Sequence, residues 1–150
     1  ALDIARSVEA ATLQGKEEMQ IEMASFELPF VPDRIVIDSL SALELAFGNT
    51  DSYRIYIRYL FELLEKFNSV NFVIGETEQN PKIYSRAGIQ EFLADGVIVL
   101  YNIQSNNIRQ NALEILKLRS SMHDKKIVPY KFTKTGIRVF PSEEVFQTPT

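Results

Sequence analysis

Residues able to do chemistry stand in two places along this chain. One is EILKLRSSMH at 114–123, where Lys117 and Arg119 lie two apart in an apolar run and His123, the single histidine of the chain, follows. Successive side chains of a strand alternate between faces. Strict alternation therefore puts Leu113, Ile115, Lys117 and Arg119 on one face and Leu116 and Leu118 on the other. Two converging cations beside an imidazole suit an anion such as phosphate, because a guanidinium forks onto two oxygens and an ammonium adds a point charge. Charges also guard exposed strand edges against aggregation, and this stretch alone leaves that reading open. The other place is RIVIDS at 34–39, an apolar strand ending in Asp38 and Ser39. Open α/β sheets gather ligands at the carboxyl ends of their strands. An acid there is the Walker B pattern, which holds Mg²⁺ through water opposite a nucleotide's phosphates. A strand-end Asp equally serves as a turn former or helix cap. Thr77 follows the apolar run NFVIG at 71–75. It would stand beside Asp38 as a nucleotide-sensing hydroxyl if the two strands are neighbours, and is otherwise a turn hydroxyl.

The elements that must carry these residues follow from periodicity. Residues 3–24 suggest a helix with Ile4, Val8 and Ala11 on one face, interrupted at Gly15; in the second half MQIEMASFEL also alternates, as a strand does, and Pro29 and Pro32 end the segment either way. RIVID lacks polar alternation, the pattern of a central parallel strand covered on both faces. From Tyr53 the apolar residues Tyr53, Ile57, Leu60, Leu64 and Phe67 recur every three or four positions, Thr50–Ser52 offer a cap, and Glu62 with Lys66 forms a surface pair. NFVIG is a second buried strand, 76–87 a polar loop, and IQEFLA one or two helical turns. Four strands with short connections follow at about 96–101, 110–118, 127–132 and 136–140, with a turn at Lys134–Gly136. The expected class is α/β, with parallel strands followed by an antiparallel β meander. One domain over 1–150 is expected, with a helical lead-in over 1–30, a core over 34–141 and a tail at 142–150.

Composition narrows the function classes. The chain has no cysteine and one histidine, so thiolate metal sites, disulfide frameworks and imidazole clusters are excluded, and a reducing cytoplasm fits. No apolar run approaches the roughly 20 residues that cross a bilayer, so no membrane association is expected. The net charge of −4 argues against a broad sequence-independent nucleic-acid surface. Two polar stretches, QNPKIYSRAG and IQSNNIRQ, carry Lys82, Arg86 and Arg109 with Tyr84 as a stacking ring. They keep single-stranded DNA binding open beside the reading as ordinary solvated loops.

RIVIDSLSAL, the TE at 77–78, GIQEFLADGVIVL, EILKLRSSMH and the segment ending TGIRVFP follow one another in the order and spacing of KaiC-like ATPases of the RecA superfamily. The resemblance spans about 34–141. It implies the C-terminal part of a RecA-like P-loop NTPase core that binds ATP with Mg²⁺ between subunits of a homo-oligomeric ring, commonly a hexamer. It further implies that Asp38 is the Walker B acid, with Ser39 beside it at the cofactor. Lys117, Arg119 and His123 would reach in trans to the nucleotide of the neighbouring subunit. Relatives often have Gly where this chain has Ser120. A phosphate cradle of the form G-x-x-x-x-G-K-[ST] begins at none of the six glycines, and backbone N–H groups need those glycines to close around phosphate. In the resembled family that loop lies before the region matched here. The expectation is therefore the C-terminal part of a longer ATP hydrolase, inactive as this segment alone. Glu76 and Glu78 lie near the right strand, but neither matches the family's catalytic base. Two alternatives remain: a nucleotide-independent oligomerisation module, and a RecA/RadA-like single-stranded DNA-binding protein.

Overall fold

The computed structural model describes residues 29–47, 49–77, 84 and 88–146. Their elements, in chain order, are β1 (Arg34–Asp38), α1 (Leu40–Ala46), α2 (Thr50–Glu65), β2 (Val70–Ile74), α3 (Gln90–Leu93), β3 (Gly96–Ser105), β4 (Ile108–Leu118), β5 (Val128–Thr133) and β6 (Gly136–Val139). The chain divides into two compact units, one running to Thr77 and taking in α3, the other beginning at Ala94.

In the first unit β1 and β2 pair in parallel, in a register that runs from Arg34 opposite Val70 to Asp38 opposite Ile74. A parallel pair needs a crossover, and α1 and α2 supply it. The expected stripe on α2 is buried at Tyr53, Ile57, Leu60 and Leu64, with Tyr56 added; it packs with Leu40, Leu43 and Phe47 against Ile35, Ile37 and Val73 of the sheet. The cap of α2 comes one residue before the expected stretch. Asn49 Oδ1 accepts from the Ser52 backbone N–H at 2.8 Å, and Glu62 faces Arg58 at 3.9 Å in place of the expected pairing with Lys66. Among the described residues the sheet is covered on one face only. Val36 is 64% exposed and Phe72 53% exposed, against the expectation of cover on both sides. An apolar run on both faces of a strand states what the strand needs and not what supplies the cover.

The second unit is an antiparallel sheet in the order β3-β4-β5-β6, so the expected meander is present. Two corrections apply. First, IQSNNIRQ is not a loop. β3 runs through Ser105 and β4 begins at Ile108, leaving Asn106–Asn107 as the turn. Asn106 takes φ 52, a left-handed conformation that asparagine tolerates better than most residues. Second, the register shifts within the hairpin. Val97 faces Lys117 while Ile98 faces Ile115, so Leu116 is an extra residue on β4, a β-bulge. Val99, Ala112, Val128 and Tyr130 are the buried centre of this unit. β5 joins β4 through only two residue pairs, Ala112 with Pro129 and Leu113 with Val128. The turn at Lys134–Gly136 is as expected: Gly136 adopts φ 120, and Thr133 Oγ1 donates to its carbonyl at 2.8 Å. No described helix is long and apolar enough to cross a membrane.

Candidate functional site

The first group of candidates gathers at the carboxyl edge of the parallel pair. Because β1 and β2 are direct neighbours with Asp38 opposite Ile74, the segment Gly75–Thr77 leaves the sheet at the same carboxyl edge where Asp38 ends β1, which meets the condition on which the reading of Thr77 depended. Asp38 and Thr77 are both exposed. Ser39 is the N-cap of α1 with extended backbone, and its hydroxyl makes no capping bond; the Asp38–Ser39 peptide is cis. One turn on, Ser41 Oγ accepts from the Glu76 backbone N–H at 2.8 Å. That bond ties the chain after β2 to the first turn of α1. Glu76 is thus engaged locally through its backbone, and Glu78 lies outside the described residues. Asp38 and Glu76 both present exposed carboxylates at this edge, with the hydroxyls of Ser39, Ser41 and Thr77 along the same segments. Among the described residues no three His, Cys, Asp or Glu side chains cluster as a metal cage. One or two carboxylates with hydroxyls suit Mg²⁺, which keeps several waters and shares its remaining positions with phosphate oxygens.

The second group lies at the end of β4. The bulge at Leu116 reverses the phase that strict alternation implies. Lys117 is opposite Val97 and Glu114 opposite Val99, so Lys117 shares its face with Glu114 and Ala112, whereas Leu118 shares the face of Ile115 and Leu113. The placement of Lys117 on the face of Leu113 and Ile115 is therefore corrected. Both cations are bound to one turn, Ala94–Asp95, which precedes β3. Lys117 Nζ donates to the Ala94 carbonyl at 2.7 Å. The Arg119 backbone N–H donates to the Asp95 carbonyl at 2.8 Å, and its Nη1 lies 3.1 Å from Asp95 Oδ1. The two strands approach closely here, since a Cβ on Gly96 would stand 3.3 Å from Leu118 Cδ1. Ser120 holds φ 59, a left-handed conformation that glycine adopts without strain. His123 is partly buried: its Nδ1 lies 3.5 Å from the Ser121 carbonyl, and its Nε2 is buried without a hydrogen-bond partner.

Sequence reasoning missed the Ala94–Asp95 turn, whose one legible signal was an acid directly before a strand-opening glycine. It also missed Gln90, whose Nε2 donates to Tyr53 Oη at 2.7 Å; burial, with the charge of Glu44 second, pushes the Tyr53 phenol up to about 12. Of the DNA-binding candidates, Lys82 and Arg86 lie outside the described residues, Tyr84 is partly exposed, and Arg109 Nη1 donates across the hairpin to Asn102 Oδ1 at 2.8 Å.

A parallel pair with acid and hydroxyl at its carboxyl edge, together with a four-stranded antiparallel sheet, matches the RecA-type α/β fold of KaiC-like proteins. The KaiC ATPase family model matches residues 3–144, and the chain belongs to that family. It is 34% identical over 111 residues to the circadian clock oscillator protein KaiC of Parathermosynechococcus lividus, covering 72% of this chain and 20% of that protein. To the KaiC of Acaryochloris marina it is 28% identical over 146 residues, covering 93% of this chain and 27% of that one. The crystal structure of the KaiC-like protein PH0186 from Pyrococcus horikoshii superposes with a TM-score of 0.65 at 31% identity, over 73% of this chain and 47% of that chain. The chain thus spans about a fifth to a quarter of the curated relatives it matches.

Proposed function

We propose that these 150 residues are part of the ATPase domain of a longer polypeptide that binds and hydrolyses ATP in a cytoplasmic homo-oligomeric ring, with six subunits as the expected number. The observation that carries this reading is the pairing of β1 with β2, which brings Asp38 and Thr77 to one carboxyl edge in a chain of the KaiC family. Asp38 acts as the Walker B acid, orienting water around Mg²⁺, with Ser39 and Thr77 near the phosphates. Bound with the triphosphate, Mg²⁺ supplies neutralisation of charge on the phosphate oxygens. Lys117, Arg119 and His123 serve the nucleotide of the adjacent subunit. Charge spreads over the equatorial oxygens of the transferred phosphoryl group as the leaving bond lengthens, so a cation aimed there stabilises the transition state more than the ground state. Arg119 fits that task best, because its fork can take two oxygens at once, while Lys117 is a point charge and His123 orients an oxygen or a neighbouring loop.

Mixed rings test the assignment. In the full-length protein Arg119→Ala should lower turnover on the order of a thousandfold, as loss of an arginine finger does, while nucleotide binding falls far less. Combining Arg119→Ala subunits with subunits whose phosphate loop is disabled should restore activity at interfaces that join an intact loop to an intact Arg119. No recovery in demonstrably mixed rings counts against action in trans. Assembly without any nucleotide dependence would instead favour an oligomerisation module, and a salt-sensitive shift of single-stranded DNA would favour the DNA-binding reading.

A further inference from the structure

We propose that Asp95 is the positioning residue for Arg119, and that the Ala94–Asp95 turn aims both cations as a unit. The inference rests on the reading of Arg119 as a trans-acting cation and adds what holds it there. Three polar contacts from two adjacent residues reach the cationic pair: Ala94 carbonyl to Lys117 Nζ at 2.7 Å, Asp95 carbonyl to the Arg119 N–H at 2.8 Å, and Asp95 Oδ1 to Arg119 Nη1 at 3.1 Å. The backbone bond fixes where the Arg119 side chain starts, and the carboxylate fixes where its guanidinium ends. The bulge at Leu116 gives Lys117 the phase that lets it reach the same turn.

The side chains of Arg119 and Asp95 are 52% and 88% exposed, and an ion pair so exposed adds little to stability. Its effect is orientational. An arginine leaving the end of a strand loses considerable rotamer freedom when it must meet a phosphoryl group, and a side chain already held near its working geometry loses less. Asp95 touches no substrate; it acts through Arg119.

The experiment is a double-mutant cycle on the full-length protein, reading kcat and KM for ATP separately. Asp95→Ala should lower kcat about tenfold and leave KM within about twofold, because the cation is engaged as the transition state forms. Asp95→Asn retains an Oδ1 acceptor for the guanidinium and should keep most of kcat, while a residue needed only for folding would give no such graded response. Adding Asp95→Ala to Arg119→Ala should cost nothing further, since a positioning residue has no role once its partner is gone. A further tenfold loss in the double variant would overturn the proposal, as would a kcat raised by Asp95→Ala, which would make the carboxylate a restraint. Full activity of Arg119→Ala alone would instead remove the underlying reading, an outcome distinct from either. Asp95→Ser removes the carboxylate while leaving the backbone bond and a polar side chain in place, and should lower kcat as Asp95→Ala does, so the cycle remains readable if Asp95→Ala proves unstable.

Discussion

The role proposed for Asp38 turns on one charge. Asp38→Asn preserves shape and removes the carboxylate, and in the full-length protein turnover should fall on the order of a hundredfold, comparable with loss of one electrostatic group at a reacting centre. Steady-state hydrolysis across a Mg²⁺ series measures this; unchanged rates with unchanged Mg²⁺ dependence would make Asp38 a strand-end cap. Ser120 offers a test by stability. Its φ of 59 costs a non-glycine residue roughly 1–2 kcal/mol, and glycine gives back about half of the gain through its freer unfolded chain. Ser120→Gly should therefore stabilise by somewhat under about 1 kcal/mol, a rise of a few degrees in a thermal melt. The conformation by itself favours glycine at this place, without any contact to nucleotide. Tyr53 carries a pH prediction. Its folded pKa is raised from 10 to about 12, so the phenol's contribution to stability is whole below pH 10 and is lost as pH rises toward 12. Denaturant midpoints taken between those values should drop more steeply for the native chain than for Tyr53→Phe.

Elements were legible in the sequence wherever period alone decided them, and α2 is the plainest case. The spacing of Tyr53, Ile57, Leu60 and Leu64 is its buried face, and Ile57 is fully shielded. Ile57→Ala should cost about 2–5 kcal/mol, the range for a buried aliphatic truncation, read as a shift in urea midpoint. The meander was legible for the same reason, since alternation and turn residues are local. What the sequence did not reveal was phase. Nothing in EILKLRSS marks Leu116 as an extra residue; a bulge is set by how two strands match, and the pairing of Val97 with Lys117 cannot be read from either strand alone. The same limit hid Asp95. Its carboxylate matters through a residue 24 positions away, while its local pattern reads as the end of a helical turn. At the parallel edge, by contrast, Asp38 and Thr77 were legible as candidates because a strand's carboxyl end is a place that sequence order defines.

Across the whole molecule, none of the six glycines opens a phosphate cradle of the form G-x-x-x-x-G-K-[ST]. Backbone N–H groups in such a cradle supply most contacts to a triphosphate, so residues 1–150 alone should show no micromolar ATP binding in calorimetry. Micromolar binding would mean that a different site exists. Among the described residues the sheet face bearing Val36, Val70, Phe72 and Ile74 is exposed, and contiguous exposed apolar area promotes association. Light scattering of the isolated 150-residue chain should therefore rise with concentration, and Phe72→Lys should reduce it. Leu116, finally, bears on how such a protein can change over generations. Its side chain can be exchanged for another of similar size at little cost, and loss of that single codon would straighten the strand while leaving Lys117 opposite Val97 and on the face of Glu114. Drift at this position should therefore run through both substitution and loss; descendants would keep the face that Lys117 shares with Glu114 more faithfully than the count of residues that lead to it.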